Sequence, residues 1–229
     1  MKCQIITTQP TIYDSFLKTG LVARARDKKI IEINLFNLHD FALDRHQSVD
    51  DTPCGGGAGM IIRVDIVDKA ISTLKLKSKN AKVKTILLTP QGQKFTSKTA
   101  ERLAKEKELI LISGRFEGYD ERIRALADEE ISIGDYILTS GDLPAMVIID
   151  TISRQIPGFI EKPESLKEES FAISHVNNCL ESPQYTRPIE YKGKKVPAVL
   201  LSGNHAKINA WRKEESNKRT QKRRPAILI

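Results

Sequence analysis

Cysteine is scarce in this chain: Cys3, Cys54 and Cys179 are odd in number, far apart and in no Cys-x-x-Cys spacing. That argues against a disulfide framework and a zinc site alike. His39, His46, His175 and His205 also lack metal-ligand spacing. Long hydrophobic runs are missing: nothing approaches the ~18 apolar residues of a membrane span. Met1-Lys2-Cys3 leads straight into the strand-like Gln4-Ile5-Ile6 with no signal-peptide core, so the expectation is a cytoplasmic protein with no membrane partner. Aromatics make up 6% of the chain, with one Trp, and there are no internal repeats or low-complexity tracts. A chain of 229 residues that is 40% hydrophobic holds one good core, or a main domain with a small appendage.

What is present is positive charge. A formal charge of +8 and a pI near 9.3 bias the partner toward a polyanion. Distribution says more than the total: Arg212, Lys213, Lys218, Arg219, Lys222, Arg223 and Arg224 face only Glu214 and Glu215 near the C-terminus. A solvated helix face with a frayed tail would read the same way. Trp211 in that stretch argues for a helix that docks.

Strand-like runs at Gln4 to Thr7, Ile30 to Phe36, Thr85 to Leu88, Leu109 to Ile112 and Ile131 to Leu138 alternate with helical patterns, which predicts an α/β parallel sheet. From Ser97 to Lys107, Ala100, Leu103 and Ala104 share one face, Glu101 and Lys105 can pair, and Ser97 is available as N-cap. From Pro144 to Ile156, apolar Met146, Val147, Ile148, Ile149 and Ile152 surround the helix, which predicts burial in the core or in a subunit interface. After Pro157-Gly158 the chain turns polar and reads as a mobile linker. The expected divisions are a main domain over 1–160, a linker over 161–180 and a small helical domain over 181–229, with a helix from about Asn204 to Thr220.

Three Gly-punctuated loops follow apolar strands: Thr89-Pro90-Gln91-Gly92, Ser113 to Arg122, and Ser132 to Pro144. In open α/β sheets, ligands bind beyond the carboxyl ends of the strands, so the three loops predict one cleft built from backbone. A further stretch, Cys54-Gly55-Gly56-Gly57-Ala58-Gly59-Met60, invites a phosphate-loop reading. It lacks the Gly-Lys-Ser/Thr of a Walker A loop, and Met60 stands where a dinucleotide fingerprint needs Gly. Either a plain loop or one that a substrate approaches closely explains it.

As an ordered set, GGGAGM at Gly55, TPQGQ at Thr89, GRFEGYDER at Gly114, SIGDYILTSGDLPAM at Ser132, IPG at Ile156, YTRP at Tyr185, LLSGNHAKI at Leu200 and WR at Trp211 resemble bacterial tRNA (guanine-N1)-methyltransferases. The resemblance covers nearly the whole chain. It implies a SPOUT-type parallel sheet with a C-terminal trefoil knot plus a small, mainly helical C-terminal domain. It also implies a homodimer, S-adenosylmethionine as methyl donor, magnesium as an assisting ion, and tRNA carrying guanosine at position 37 as substrate. Periodicity supplies none of this, and the general rarity of knots argues for an ordinary doubly wound sheet.

Carried onto this chain, the resemblance implies that Glu169 accepts the N1 proton and Arg154 stabilises charge on O6. The donor pocket would be formed by Leu87, Leu88, Pro90, Gly114, Phe116, Glu117, Gly118, Ile133, Gly134, Asp135, Tyr136, Ile137, Leu138, Ser140, Gly141 and Pro144. Substrate contacts would come from Arg45, His46, Asp50, Gly55, Gly56, Gly57, Gly59, Ser170, His205, Arg219 and Arg223, with no residue assigned to a metal. The family has Asp where Glu169 stands, Tyr at Cys54 and Phe116, and a second Gly at Ser140. Read by itself, Glu169 is an exposed linker charge, Arg154 a cation at a helix C-terminus, and His205 a helix cap. A non-catalytic RNA-binding adaptor, or a methyltransferase for another RNA, would share many of these features.

Overall fold

The computed structural model describes residues 1–79, 82–162, 166, 169–172 and 179–227. It comprises two compact units, Met1–Glu161 and Lys162–Ile229. The first is built on five parallel strands, β1 (Lys2–Thr7), β2 (Glu32–Asn37), β5 (Lys84–Lys94), β6 (Glu108–Ser113) and β7 (Glu129–Ser132). Their order is β2-β1-β6-β5-β7. A two-stranded antiparallel pair, β3 (Asp50–Asp51) with β4 (Ile61–Ile62), lies between β2 and β5 in the chain.

Side chains that alternate along a strand point to opposite faces, and here both faces are covered. Ile5, Ile86, Leu88, Leu109 and Leu111 join the cluster that includes Val22, Ala25, Leu103, Ile148 and Ile152. Ile6, Leu87, Ile110 and Ile112 join the other, with Ile66, Ile71 and Leu74. The first face is therefore covered by α1 (Asp14–Lys18), α2 (Gly20–Asp27), α4 (Ser97–Ala104) and α5 (Asp142–Arg154), the second by α3 (Val64–Lys77). This is why the central strands read as continuous apolar runs.

Several boundaries differ from the sequence expectation. The run from Ile131 to Leu138 is a strand only as far as Ser132. Tyr136 and Ile137 beyond it are 55% and 80% exposed, so their apolar character serves something other than this core. β5 runs on through Thr89-Pro90-Gln91-Gly92 to Lys94, with a register shift that places both Leu88 and Gln93 opposite Ile131. The N-cap of α4 is Thr96, whose Oγ1 accepts from the Thr99 amide at 3.2 Å, and not Ser97. The expected Glu101–Lys105 pair forms at 3.3 Å. In α5, Ala145, Ile148, Ile149 and Ile152 are buried, and each of the isoleucines contributes about 1.5–3 kcal/mol. Leu143 and Val147 are 50% and 45% exposed, so one face of this helix is uncovered in the single chain.

The second unit carries a hairpin of β8 (Glu190–Tyr191) and β9 (Lys194–Lys195), and α6 (His205–Arg223). Asn204 caps α6 by accepting from the Lys207 amide at 3.1 Å. Trp211 does dock, its ring centroid 6.4 Å from that of Tyr185. Near the other end, Thr220 Oγ1 accepts from the Leu180 amide at 2.9 Å and Ser216 Oγ donates to the Leu180 carbonyl at 2.5 Å. Much of the expected linker, including Glu168 and residues 173–178, lies outside the described residues.

Candidate cofactor and substrate site

Three strand ends meet in the first unit. β6 lies between β1 and β5, while β7 lies beyond β5, so the chain from β6 to β7 must pass the end of β5. The Tyr119 hydroxyl sits where these segments come together, 3.1 Å from both the Leu88 and Ile112 carbonyl oxygens, sharing its one proton between them. Burial pushes this hydroxyl well above the ordinary tyrosine range, so it stays a donor. The start of α5 is bonded to the end of β6, the Gly141 amide donating to the Gly114 carbonyl at 2.7 Å. A Cβ on Gly141 would lie 3.0 Å from the Gly114 nitrogen and the Ser113 Cα, so a side chain there would crowd the backbone it meets and require it to shift.

Beside these buried glycines stand exposed Phe116, Tyr136, Ile137 and Leu138. A Cβ at Gly114 would run into the Tyr119 ring, one at Gly134 into the Tyr136 ring and one at Gly141 against the Gly114 and Ser113 backbone, so these glycines admit close packing within the chain. Loop backbone packed in this way, with exposed apolar side chains beside it, suits a ligand that has a flat apolar ring and polar edges. Leu87 and Leu88 are core residues, and Pro90 is exposed at the rim. Ile133 is half-buried, and Asp135 is exposed with its carboxylate 2.8 Å from Lys94 Nζ. Ser140 Oγ accepts from the Asp142 amide at 3.3 Å, and Pro144 follows in the first turn of α5.

Sequence reasoning assigned no role to Asp142, yet it is 1% exposed and its Oδ1 accepts from Thr7 Oγ1 at 2.7 Å, the Tyr13 hydroxyl at 2.9 Å and Ser113 Oγ at 2.7 Å. Burial and the neighbouring Asp142 carboxylate push the Tyr13 hydroxyl far above its ordinary range. The available signal was an acidic residue opening a helix right after glycine, which reads equally as a dipole partner.

The glycine-rich loop is tied to the same region. The Glu117 amide donates to the Met60 carbonyl at 3.0 Å and the Ile62 amide to the Gly118 carbonyl at 2.9 Å. Gly55, Gly56, Gly57 and Gly59 all have positive φ; the first three have nothing within 4 Å of a would-be Cβ, whereas at Gly59 it would run into the Glu117 side chain. Close packing within the chain thus explains Gly59 alone, and the other three face open space. Asp50 is half-buried in β3, paired with Ile62. Arg45 and His46 are exposed on a turn that Asp44 holds by accepting from the His46 and Ser48 amides at 3.1 and 3.0 Å.

Arg154 is the last residue of α5, half-buried, in the first unit. Glu169 is half-buried in the second, its carbonyl accepting from the Ala172 amide at 3.1 Å. Ser170 Oγ accepts from the Glu181 amide at 3.0 Å. His205 is exposed in the first turn of α6 and is not its cap, a place Asn204 fills. Arg219 donates to the Glu181 carbonyl at 3.3 Å, and Arg223 is exposed.

A family model described as tRNA (Guanine-1)-methyltransferase TrmD matches residues 1–229. Among curated relatives, the tRNA (guanine-N(1)-)-methyltransferase of Citrifermentans bemidjiense is 47% identical over 229 residues, covering 100% of this chain and 90% of the relative. The protein of that name from Moorella thermoacetica is 46% identical with the same coverage. The one from Bacillus subtilis is also 46% identical, with 92% of the relative covered.

Proposed function

Because the chain belongs to the tRNA (guanine-1)-methyltransferase family, we propose that it transfers a methyl group from S-adenosylmethionine to N1 of guanosine 37 of tRNA. The observation that carries the reading lies at the level of Leu88 in β5, where β6 and β7 end on either side and Tyr119, Gly114 and Gly141 come together. We read these loops as a SPOUT trefoil knot that forms the donor pocket. Glycine backbone would take the polar edges of adenosine and the methionine carboxylate, with Leu88, Pro90 and Ile137 on its apolar parts.

When bound, the donor supplies a methyl carbon activated by a sulfonium, so no covalent enzyme intermediate is needed. The protein's task is the base. N1 of guanine carries a proton that must leave as charge develops toward O6. Glu169 accepts that proton, and the planar guanidinium of Arg154 stabilises O6. The glycine loop with Asp50 borders the flipped guanine, and Arg45, His46, His205, Arg219 and Arg223 contact RNA phosphates or loop bases, with Ser170 beside the base. The uncovered face of α5, with Leu143 and Val147, fits a second copy of the chain, so a homodimer would combine groups from both protomers. The family resemblance adds magnesium as an assisting ion, yet among the described residues no group of three or more His, Cys, Asp or Glu side chains gathers to hold it, so no step is routed through it. No helix among the described residues is long and apolar enough to cross a membrane, and a tRNA substrate would be met in the cytoplasm.

Glu169→Gln tests the chemistry because it keeps size and removes basicity. tRNA and donor affinity should persist while single-turnover methylation, read as a primer-extension stop at the N1-methylated guanosine, slows about 10²-fold or more. Full activity in Glu169→Gln with collapse in Asp50→Asn would move the base to Asp50. Collapse in Glu168→Gln would instead move the base to Glu168, and activity in all three variants would remove a carboxylate base from the mechanism.

A further inference from the structure

Buried carboxylates are costly unless donors meet their charge. Among the described residues, the first unit contains two that are each 1% exposed, at opposite ends of the sheet: Asp142 and Glu108. Glu108 opens β6 and accepts from Lys2 Nζ at 2.9 Å, Gln4 Nε2 at 2.6 Å and Ser78 Oγ at 2.6 Å. It fastens β1 and the residue capping α3, far along β6 from the glycine loops. Asp142 sits at the other end, where three hydroxyls from three chain segments converge on a single oxygen.

That convergence asks for a carboxylate. An amide oxygen would accept these donors only in neutral bonds, whereas a carboxylate at a helix N-terminus is favoured by the macrodipole and makes charge-assisted ones. Two of the segments, Thr7 and Tyr13, belong to the part of the fold outside the glycine loops. The third, Ser113, immediately precedes Gly114, and Asp142 immediately follows Gly141. The Ser113–Asp142 bond at 2.7 Å and the Gly141–Gly114 backbone bond at 2.7 Å are therefore adjacent rungs of one clamp. It joins the loop after β6 to the start of α5 and anchors both to the end of β1.

We propose that Asp142 is a positioning residue, which through Ser113 holds the β6 loop and the α5 start at the spacing that S-adenosylmethionine requires. The inference rests on the reading of these loops as the donor pocket. A clamp of this kind acts on donor affinity more than on the methyl-transfer step, because a saturating donor re-forms the pocket.

The test compares full-length Ser113→Ala, Asp142→Asn and Glu108→Gln with the parent protein. Each is titrated calorimetrically with S-adenosylmethionine, assayed on tRNA with donor varied, and melted. Glu108→Gln should lower the melting temperature and leave donor Kd unchanged. Ser113→Ala and Asp142→Asn should raise donor Kd and KM about tenfold, with kcat at saturating donor changed by less than about threefold. Wild-type Kd in a folded Ser113→Ala overturns the proposal even if Asp142→Asn fails to fold. So does a loss of donor affinity in all three that merely follows melting temperature. A parent protein that binds no S-adenosylmethionine overturns the donor-pocket reading itself, and the clamp's role with it.

Discussion

Burial pushes the Cys3 thiol up to about 12, while Cys54 stands exposed at the start of the glycine loop. The thiolate is the nucleophile, so at pH 8 only about 10⁻⁴ of Cys3 is reactive and the strand also blocks reagent access. Brief treatment of the folded protein with iodoacetamide should label Cys54 and spare Cys3, as peptide mass spectrometry would show. tRNA methylation should fall in step with Cys54 labelling, since the bulk lands beside the loop assigned to the target base. Equal labelling of Cys3 would mean that β1 opens locally. Single residues were unevenly legible. Glu101 and Lys105 pair as their spacing foretold. Asp142 depends on partners 29 to 135 residues away in sequence and Tyr119 on Leu88, 31 residues away, as well as on Ile112, so neither role left a local mark.

The elements divide in the same way. Strands buried on both faces announce themselves as apolar runs, and β1 and β6 were found within about two residues of both ends, β5 only at its start. The extension of β5 across β7 could not be read, because Thr89-Pro90-Gln91-Gly92-Gln93 carries a turn signature and no alternation. It exists because Gly92 lets two backbones touch: a Cβ there would lie 2.5 Å from the Glu130 carbonyl carbon and the Ile131 nitrogen. Neither atom can swing aside, so Gly92→Ala should push the extension off β7. Denaturant unfolding should show a loss of about 1–3 kcal/mol, the scale of overpacking in a close-fitted site, and donor binding should weaken with it. Unchanged stability would mean that the extension is not held by this contact.

At the scale of the whole molecule, the core clusters lie entirely within residues 1–161, and the basic C-terminal helix lies in the other unit. Donor recognition is thus assigned to the first unit, while tRNA contacts are assigned to both, Arg45 and His46 in the first and His205, Arg219 and Arg223 in the second. A fragment ending at Glu161 should bind S-adenosylmethionine, scatter light as a dimer through the uncovered α5 face, and bind tRNA far more weakly than the full chain. A monomeric fragment would place the dimer contacts in the second unit. Loss of donor affinity along with tRNA affinity would show that the second unit completes the pocket.

By itself the sequence determined the parallel α/β class, the core strands, the amphipathic α4 and the docking of Trp211, because these follow from periodicity and from the cost of leaving apolar surface in water. Its ordered motifs also led to the family. Only the tertiary structure decided where β7 stops, that β5 returns to lie against it, and which carboxylate the loops close upon. Each of these is set by contacts between segments distant along the chain. Gly141 and Ser113 carry no sign of one another until the sheet order brings the ends of β1 and β6 to the start of α5.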